Sequence, residues 1–136
     1  MQAILPGTKG KSTLVVASEH LANRFKDATL PPVLATPIMI LVMENAALDA
    51  IRGYLDPGEG ALGTLVDVRH IAATPIGQRV TAEAEVTHVD GRRIVFAVTA
   101  HDEFEEIGTG THERTVVDLR RLTQRLEAKT RRQQGR

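Results

Sequence analysis

Apolar and polar residues alternate along most of the second half of the chain. Within residues 80–86 every second residue is apolar, and the residues between them are Thr or Glu. This period of two is typical of a strand with one buried face. Asp90-Gly91 predicts a tight hairpin, and the alternation resumes at Arg93. With a short β-rich run near the start, five strands are predicted, at residues 11–18, 62–73, 80–86, 93–104 and 107–119.

One long helix is predicted between the first strand and the other four. Thr36 is a suitable N-cap, and Pro37 is a suitable first helical residue because a helix start needs no N–H there. Residues 38–55 are apolar on nearly all sides of this helix, and a turn cluster at residues 56–60 ends it. Residues 20–32 show no clean period and are predicted to form a loop or lid.

These elements predict an α+β domain in which one antiparallel sheet wraps one long helix. The helix is apolar on more sides than a small sheet covers, so we expect a homodimer in which a second copy covers the rest. Whether dimers pair further into tetramers stays open. The domain is predicted to span residues 1–119. Residues 120–136 are predicted to form a basic helical tail, for which a solvated surface is the favoured interpretation over a phosphate or nucleic-acid contact.

Composition excludes several classes of protein. Among 136 residues, 17 Lys and Arg balance 17 Asp and Glu, so no overall positive charge favours nucleic acid as a partner. Cysteine is absent, which excludes disulfides, thiolate metal sites and cysteine nucleophiles. The five His residues lack metal-ligand spacing, and we expect neither a metal nor a cofactor. The longest apolar run is too short to span a membrane and no signal peptide is evident, so a soluble cytoplasmic protein is predicted.

Three polar residues are candidates for chemistry. Glu44 lies in the apolar helix, where a carboxylate must be paired or must reach water at an edge, and the residue alone does not decide between a functional and a structural role. If the strand is regular, His70 shares a face with Leu62, Thr64 and other residues directed at the helix, so its ring could meet Glu44. The alternative is that His70 is a hydrogen-bonded histidine of the core without a role in chemistry. Thr36 is most simply a cap, although a hydroxyl at a helix N-terminus is also well placed to act on a carbonyl.

Four strings of residues are jointly specific. They are YLDPGEGALGT at 54–64, HIAATP at 70–75, GRR at 91–93 and IGTGTHER at 107–114. Because of these four strings, residues 33–119 resemble the fluoroacetyl-CoA thioesterase family of hot-dog fold proteins. The resemblance implies a dimeric hot-dog domain that hydrolyses small acyl-CoA thioesters at the subunit interface. The alternative is a non-catalytic module that binds an acyl-CoA or CoA in the same cavity.

The resemblance also implies roles for particular residues. Three are implied to be catalytic: Thr36, Glu44 and His70. Two are implied to contact substrate: Gly63, near the thioester carbonyl, and Arg114, within the site. Whether Glu44 is a general base, a nucleophile or a partner of the imidazolium stays open. The resemblance does not extend to the lid, because the fluoroacetyl-specific member of the family has bulky aromatic residues there and residues 20–35 offer only Phe25.

Overall fold

The computed structural model describes residues 1–135, so Arg136 of the predicted tail lies outside it. Five strands and three α-helices follow one another along these residues, with two short 3-10 helices at Ser18–His20 and Arg52–Tyr54. They are β1 (Lys9–Val15), α1 (Ala22–Phe25), α2 (Thr36–Ile51), β2 (Glu59–His70), β3 (Arg79–Asp90), β4 (Arg93–His101), β5 (Glu106–Asp118) and α3 (Leu119–Gln134). The five predicted strands and the long helix are present, with ends that differ by a few residues. The predicted loop after β1 contains a 3-10 turn and the short helix α1, which its irregular sequence did not indicate.

The five strands form one antiparallel sheet in the order β1-β3-β4-β5-β2. Asp90 pairs with Arg93 across a two-residue turn, which confirms the predicted hairpin, and Gly91 has the positive φ of 61° that such a turn requires. The sheet curls around α2, as the sequence predicts. The core between them consists largely of buried side chains on α2, β3 and β4, among them Met39, Val42, Ala46, Val80, Phe96 and Val98.

Small residues allow the sheet to approach α2 closely. A Cβ added at Gly10 of β1 would lie 2.2 Å from the carbonyl oxygen of Ala46, so only glycine fits at this crossing. The side of α2 that faces away from the sheet stays partly uncovered, and Leu41 there is 45% exposed. This uncovered apolar side is the feature from which a second copy was predicted.

The start of α2 differs from the prediction. Ala35 occupies the N-cap position and Thr36 is the first helical residue, with no side-chain cap hydrogen bond. The prediction that Thr36 is the N-cap is therefore wrong. The physical reason is that its hydroxyl group bonds to His70 instead, which leaves the helix start without a side-chain acceptor.

β2 contains a bulge that regular alternation does not predict. Gly63 and Leu65 pair with consecutive residues of β5, which leaves Thr64 as an extra residue. The bulge shifts the alternation by one, so that Gly63 shares the inner face of the sheet with His70. The prediction that Leu62 and Thr64 lie on the face of His70 is wrong for this reason.

Candidate active site

The first group of candidate residues joins the start of α2 to the end of β2. Thr36 Oγ1 and His70 Nδ1 are 2.8 Å apart and share a hydrogen bond. The other ring nitrogen, Nε2, is buried, and no hydrogen-bond partner for it is found among the described residues. Burial lowers the pKa of His70, and the nearby Ala72 backbone partly offsets this lowering. The imidazole is therefore neutral near neutral pH and has one nitrogen ready for a further partner.

The second group lies further along α2, where it faces β5. Arg114 Nη1 and Glu44 Oε2 are 3.4 Å apart and form an ion pair, with Arg114 buried and the Glu44 side chain one-third exposed. Arg114 Nη2 also donates to the carbonyl oxygen of Ala61 at 2.7 Å. Gly63 leaves room for the carboxylate, because an added Cβ would lie 2.7 Å from Glu44 Oε2. Arg114 thus holds Glu44 at the bulged part of β2.

His112 supports this second group and was missed by sequence reasoning. Its Nδ1 donates to the carbonyl oxygen of Leu65 at 2.8 Å, and this fixes the tautomer in which Nε2 accepts from Arg114 Nη1 at 3.2 Å. The ring stacks on Phe96 with centroids 5.9 Å apart. Burial lowers the pKa of His112, and the charge of Arg114 lowers it further. A His two residues before Arg114 shares its strand face, and that spacing was a usable signal.

Within one chain the two groups are separate. Thr36 and Glu44 are eight residues apart on α2, or roughly 12 Å along a helix. Gly63 lies near the middle of β2 and His70 is its last residue, roughly 20 Å further along the strand. Among the described residues no hydrogen bond or ion pair connects Glu44 with His70. The meeting of Glu44 with His70 therefore stays a prediction, and within a single chain the structure does not bring them into contact.

A cavity of about 390 Å³ opens beside the first group. Its wall includes the predicted lid, and its residues are chiefly small or apolar, among them Ala22, Leu30, Val33, Ile71 and Ala72, with Thr36 and His70 on one side. Phe25, the only aromatic residue of the lid, is half exposed and does not line this cavity. The cavity can therefore accept a small apolar group next to the imidazole.

Two further observations bear on the chemistry. The described residues contain no group of three or more His, Asp or Glu side chains arranged to hold a metal ion. None of the helices in residues 1–135 is long and apolar enough to cross a bilayer. The side-chain groups that the two groups of candidate residues provide are a hydroxyl, an imidazole, a carboxylate and a guanidinium.

Solved structures share this architecture. A variant of the fluoroacetyl-CoA thioesterase in complex with acetyl-CoA is 39% identical, with a TM-score of 0.88 over 93% of this chain and 99% of that chain. A Thermus thermophilus protein described as a thioesterase superfamily member is 28% identical, with a TM-score of 0.93 over the whole of both chains. A sheet curled around one long helix, shared with these thioesterase structures at 39% and 28% identity, defines a hot-dog fold thioesterase. The predicted α+β hot-dog class is confirmed.

Sequence comparison narrows the class of protein from hot-dog fold thioesterases in general to one family. The fluoroacetyl-CoA thioesterase of Streptantibioticus cattleyicolor is 48% identical over 103 residues, which are 76% of this chain and 74% of that protein. The family model described as fluoroacetyl-CoA-specific thioesterase matches residues 16–120. The chain belongs to this family. The family resemblance and the prediction of an acyl-CoA thioester hydrolase are confirmed.

Proposed function

We propose that this protein hydrolyses small acyl-CoA thioesters to the free acid and CoA, at a site completed by two copies of the chain. The observation that carries the proposal is the pair of incomplete groups. One has a buried imidazole nitrogen without a hydrogen-bond partner in residues 1–135, and the other holds a carboxylate at the edge strand β2. We call them the imidazole half-site (Thr36 and His70) and the carboxylate half-site (Glu44, Gly63 and Arg114).

The edge of the sheet supports a dimer. β2 is the last strand in the order, and three of its large apolar side chains, Leu62, Leu65 and Val66, are 41–43% exposed. A long edge strand with exposed apolar residues readily pairs with another strand. The opposite edge, β1, is protected, because it is short, carries lysines and has the Lys11 N–H bonded to Asp49. The two edges therefore favour association through β2 alone.

Pairing through β2 would also join the half-sites. Two copies of β2 related by a two-fold axis near Val66 run antiparallel, so Gly63 of one strand lies toward His70 of the other. Each carboxylate half-site then approaches the imidazole half-site of the partner subunit. The proposed dimer contains two complete sites, and each takes its acid from one copy and its imidazole from the other.

The reaction is acyl transfer from sulfur to water. The water oxygen bonds to the acyl carbon, the carbon–sulfur bond breaks, and the sulfur leaves with a proton as the CoA thiol. Negative charge develops on the carbonyl oxygen, where the Thr36 hydroxyl or a backbone N–H near Gly63 can stabilise it. The neutral imidazole of His70 accepts a proton from water and later returns it to sulfur. Water is the only co-reactant, and no cofactor enters the reaction.

Glu44 has three roles compatible with this geometry. It can orient and stabilise the imidazolium, take the proton from water, or attack the carbonyl carbon to give a mixed anhydride that water then hydrolyses. Its ion pair with Arg114 keeps a charged oxygen at the bulge in each case. Because Gly63 has no side chain, that oxygen is accessible from β2. The lid offers no aromatic wall at the cavity, so we propose no selectivity for a fluorinated acyl group.

Thiol release from a panel of acyl-CoAs of graded size tests the proposal. Short acyl groups should react fastest, and Glu44→Gln and His70→Ala should each lower kcat/KM by about 100-fold or more. The matched control is His88→Ala, which removes an exposed histidine of β3. Saturable binding of CoA esters without turnover would show that the protein is a non-catalytic binding module instead. Unchanged turnover in both site variants would reject the roles assigned here.

A further inference from the structure

Charge is divided unevenly along the chain. Residues 1–118 carry 10 basic and 16 acidic side chains, whereas residues 119–136 carry seven basic side chains and one acidic side chain. The proposed substrate is a polyanion, because CoA bears a pyrophosphate and a ribose phosphate. The net negative body repels such a molecule, and the C-terminal segment is the part of the chain with the opposite charge.

α3 brings part of this positive charge to a cavity. The cavity has a volume of about 370 Å³ and lies between the end of β5 and the first turns of α3. Three arginines line it, Arg92, Arg121 and Arg125, together with an apolar wall that includes Val116 and Leu122. Arg121 and Arg125 are four residues apart on α3, so their side chains lie on one face of the helix.

The two helix arginines have no carboxylate partner within the described residues. The carboxylates near the cavity have other partners. Glu59 accepts a hydrogen bond from Arg92 Nη1 at 3.1 Å. Asp118, which also lines the cavity, caps α3 by accepting the backbone N–H of Arg121 at 3.1 Å. The guanidinium groups of Arg121 and Arg125 are therefore free to bind an anion.

The cavity adjoins the carboxylate half-site. Its wall residue Val116 pairs with Ala61 of β2, and the carbonyl oxygen of Ala61 accepts the hydrogen bond from Arg114. Two residues further along β2 is Gly63, at roughly 7 Å along a strand. An extended ligand can therefore have one end at Gly63 and its other end in the cavity, with the part between them lying along the end of the sheet.

We infer that this cavity binds the phosphate groups of CoA while the thioester lies between the half-sites. The inference rests on the proposed function and deepens it. Guanidinium groups suit this role because each can donate two parallel hydrogen bonds to a phosphate. The apolar wall of the cavity contacts the parts of CoA next to the phosphates, and this contact is less specific than the hydrogen bonds from the guanidinium groups. The first turns of α3 are then part of the substrate site, while its last turn is a solvated surface.

Paired substrates test this assignment. Acetyl-CoA and S-acetyl-pantetheine share the thioester and the arm, but only the first has phosphates. The double variant Arg121→Glu with Arg125→Glu should raise KM for acetyl-CoA about tenfold or more, and should leave KM for the pantetheine thioester within about twofold. Arg131→Glu with Arg132→Glu is the matched control, since it makes the same charge change at the far end of the same helix. It should alter KM for acetyl-CoA less than about threefold.

Equal KM shifts in the two double variants would overturn the assignment, because they would indicate only the general charge of the tail. An unchanged KM for acetyl-CoA in the first variant would overturn it as well. Calorimetric titration with CoA alone needs no turnover and separates the two proposals. Binding that weakens in the first double variant but not in the control supports the phosphate site even if hydrolysis is absent. Binding that is equal in both variants overturns the site even if hydrolysis is rapid.

Discussion

The two half-sites of one chain differ in how their polar groups are satisfied. In the imidazole half-site, Thr36 and His70 make one hydrogen bond to each other, and a buried ring nitrogen has no partner among the described residues. In the carboxylate half-site, Arg114 donates from its two Nη atoms to Glu44 and to the Ala61 carbonyl, and only its buried Nε has no partner among the described residues. A buried group with unused hydrogen-bonding capacity is suited to act on a ligand. A group with several fixed partners is suited to hold a charge in position, so the half-sites are complementary.

Separating the half-sites of two copies should have the largest effect. Val66→Glu places like charges close to the proposed two-fold axis, which should give monomers and lower turnover by about 100-fold or more. Sedimentation and thiol release measure the two outcomes on the same sample. Leu5→Glu is the control, since it alters an exposed apolar residue outside the sheet. A monomeric Val66 variant with full activity would show that one chain contains the whole site.

Removing the positive charge of Arg114 should have the second-largest effect on activity, because it disrupts the carboxylate half-site. Arg114→Met leaves Glu44 without its partner and the Ala61 carbonyl without its donor. We expect kcat/KM to fall by roughly 10- to 100-fold and the free energy of unfolding to fall by about 1–3 kcal/mol. This loss of stability is at the lower end of the range for a broken ion pair, because the Glu44 side chain is one-third exposed. Arg114→Lys should not restore activity, since one ammonium group cannot replace the guanidinium fork. Full rescue by Lys would contradict the role of the fork.

Removal of the Thr36 hydroxyl should have a smaller effect, and one confined to activity. Thr36→Val keeps the shape of the side chain and should lower kcat/KM by roughly tenfold, whereas Thr36→Ser should retain most of the activity. Stability should change by less than about 0.5 kcal/mol, because the hydroxyl does not cap α2 and its hydrogen bond to His70 is exposed to solvent. Thermal unfolding of Thr36→Val alone and in a His70→Ala background checks this part. A loss of about 1 kcal/mol or more that is equally large in both backgrounds would restore the N-cap interpretation.

The pH dependence should be the smallest effect and should come from His70 and from His112, which supports the carboxylate half-site. Burial lowers the pKa of His70 and of His112 below the ordinary value of 6.5. The unfolded chain therefore binds protons that the folded chain does not, and stability should fall as the pH drops below about 6.5. The acid limb of kcat/KM should also lie below about 6.5, because His70 must be neutral to accept a proton. His112→Phe should reduce the acid loss of stability in denaturant titrations at several pH values, and an unaltered loss would exclude His112 as a source.

The fold was largely predictable because its signals are local. The alternation along β3 and the Asp90-Gly91 turn each specify their own structure within a few residues. The same reasoning placed Glu44 in an apolar helix and His70 on a strand near it. The family resemblance supplied Gly63 and Arg114, which the sequence pattern alone did not single out.

The remaining features depend on contacts between distant segments. The bulge at Thr64 arises from the pairing of β2 with β5, so a regular alternation misplaced the residues before it. Thr36 does not cap its helix because His70, 34 residues later, bonds to its hydroxyl. His112 acquires its role only when Leu65 and Arg114 lie on either side of its ring. The bulge and the Thr36–His70 bond have no signature within a short window of sequence, and the only local signal for His112 was its spacing of two residues from Arg114.

Mixing two inactive variants tests the shared site most directly. In a mixed dimer of Glu44→Gln and His70→Ala copies, one site carries both substitutions and the other carries neither. Random exchange should therefore recover up to about a quarter of wild-type activity, because half of the dimers are mixed and each has one intact site. Native mass spectrometry confirms that mixed dimers form. Mixed dimers without any recovered activity would show that Glu44 and His70 act within the same chain, and would contradict the account.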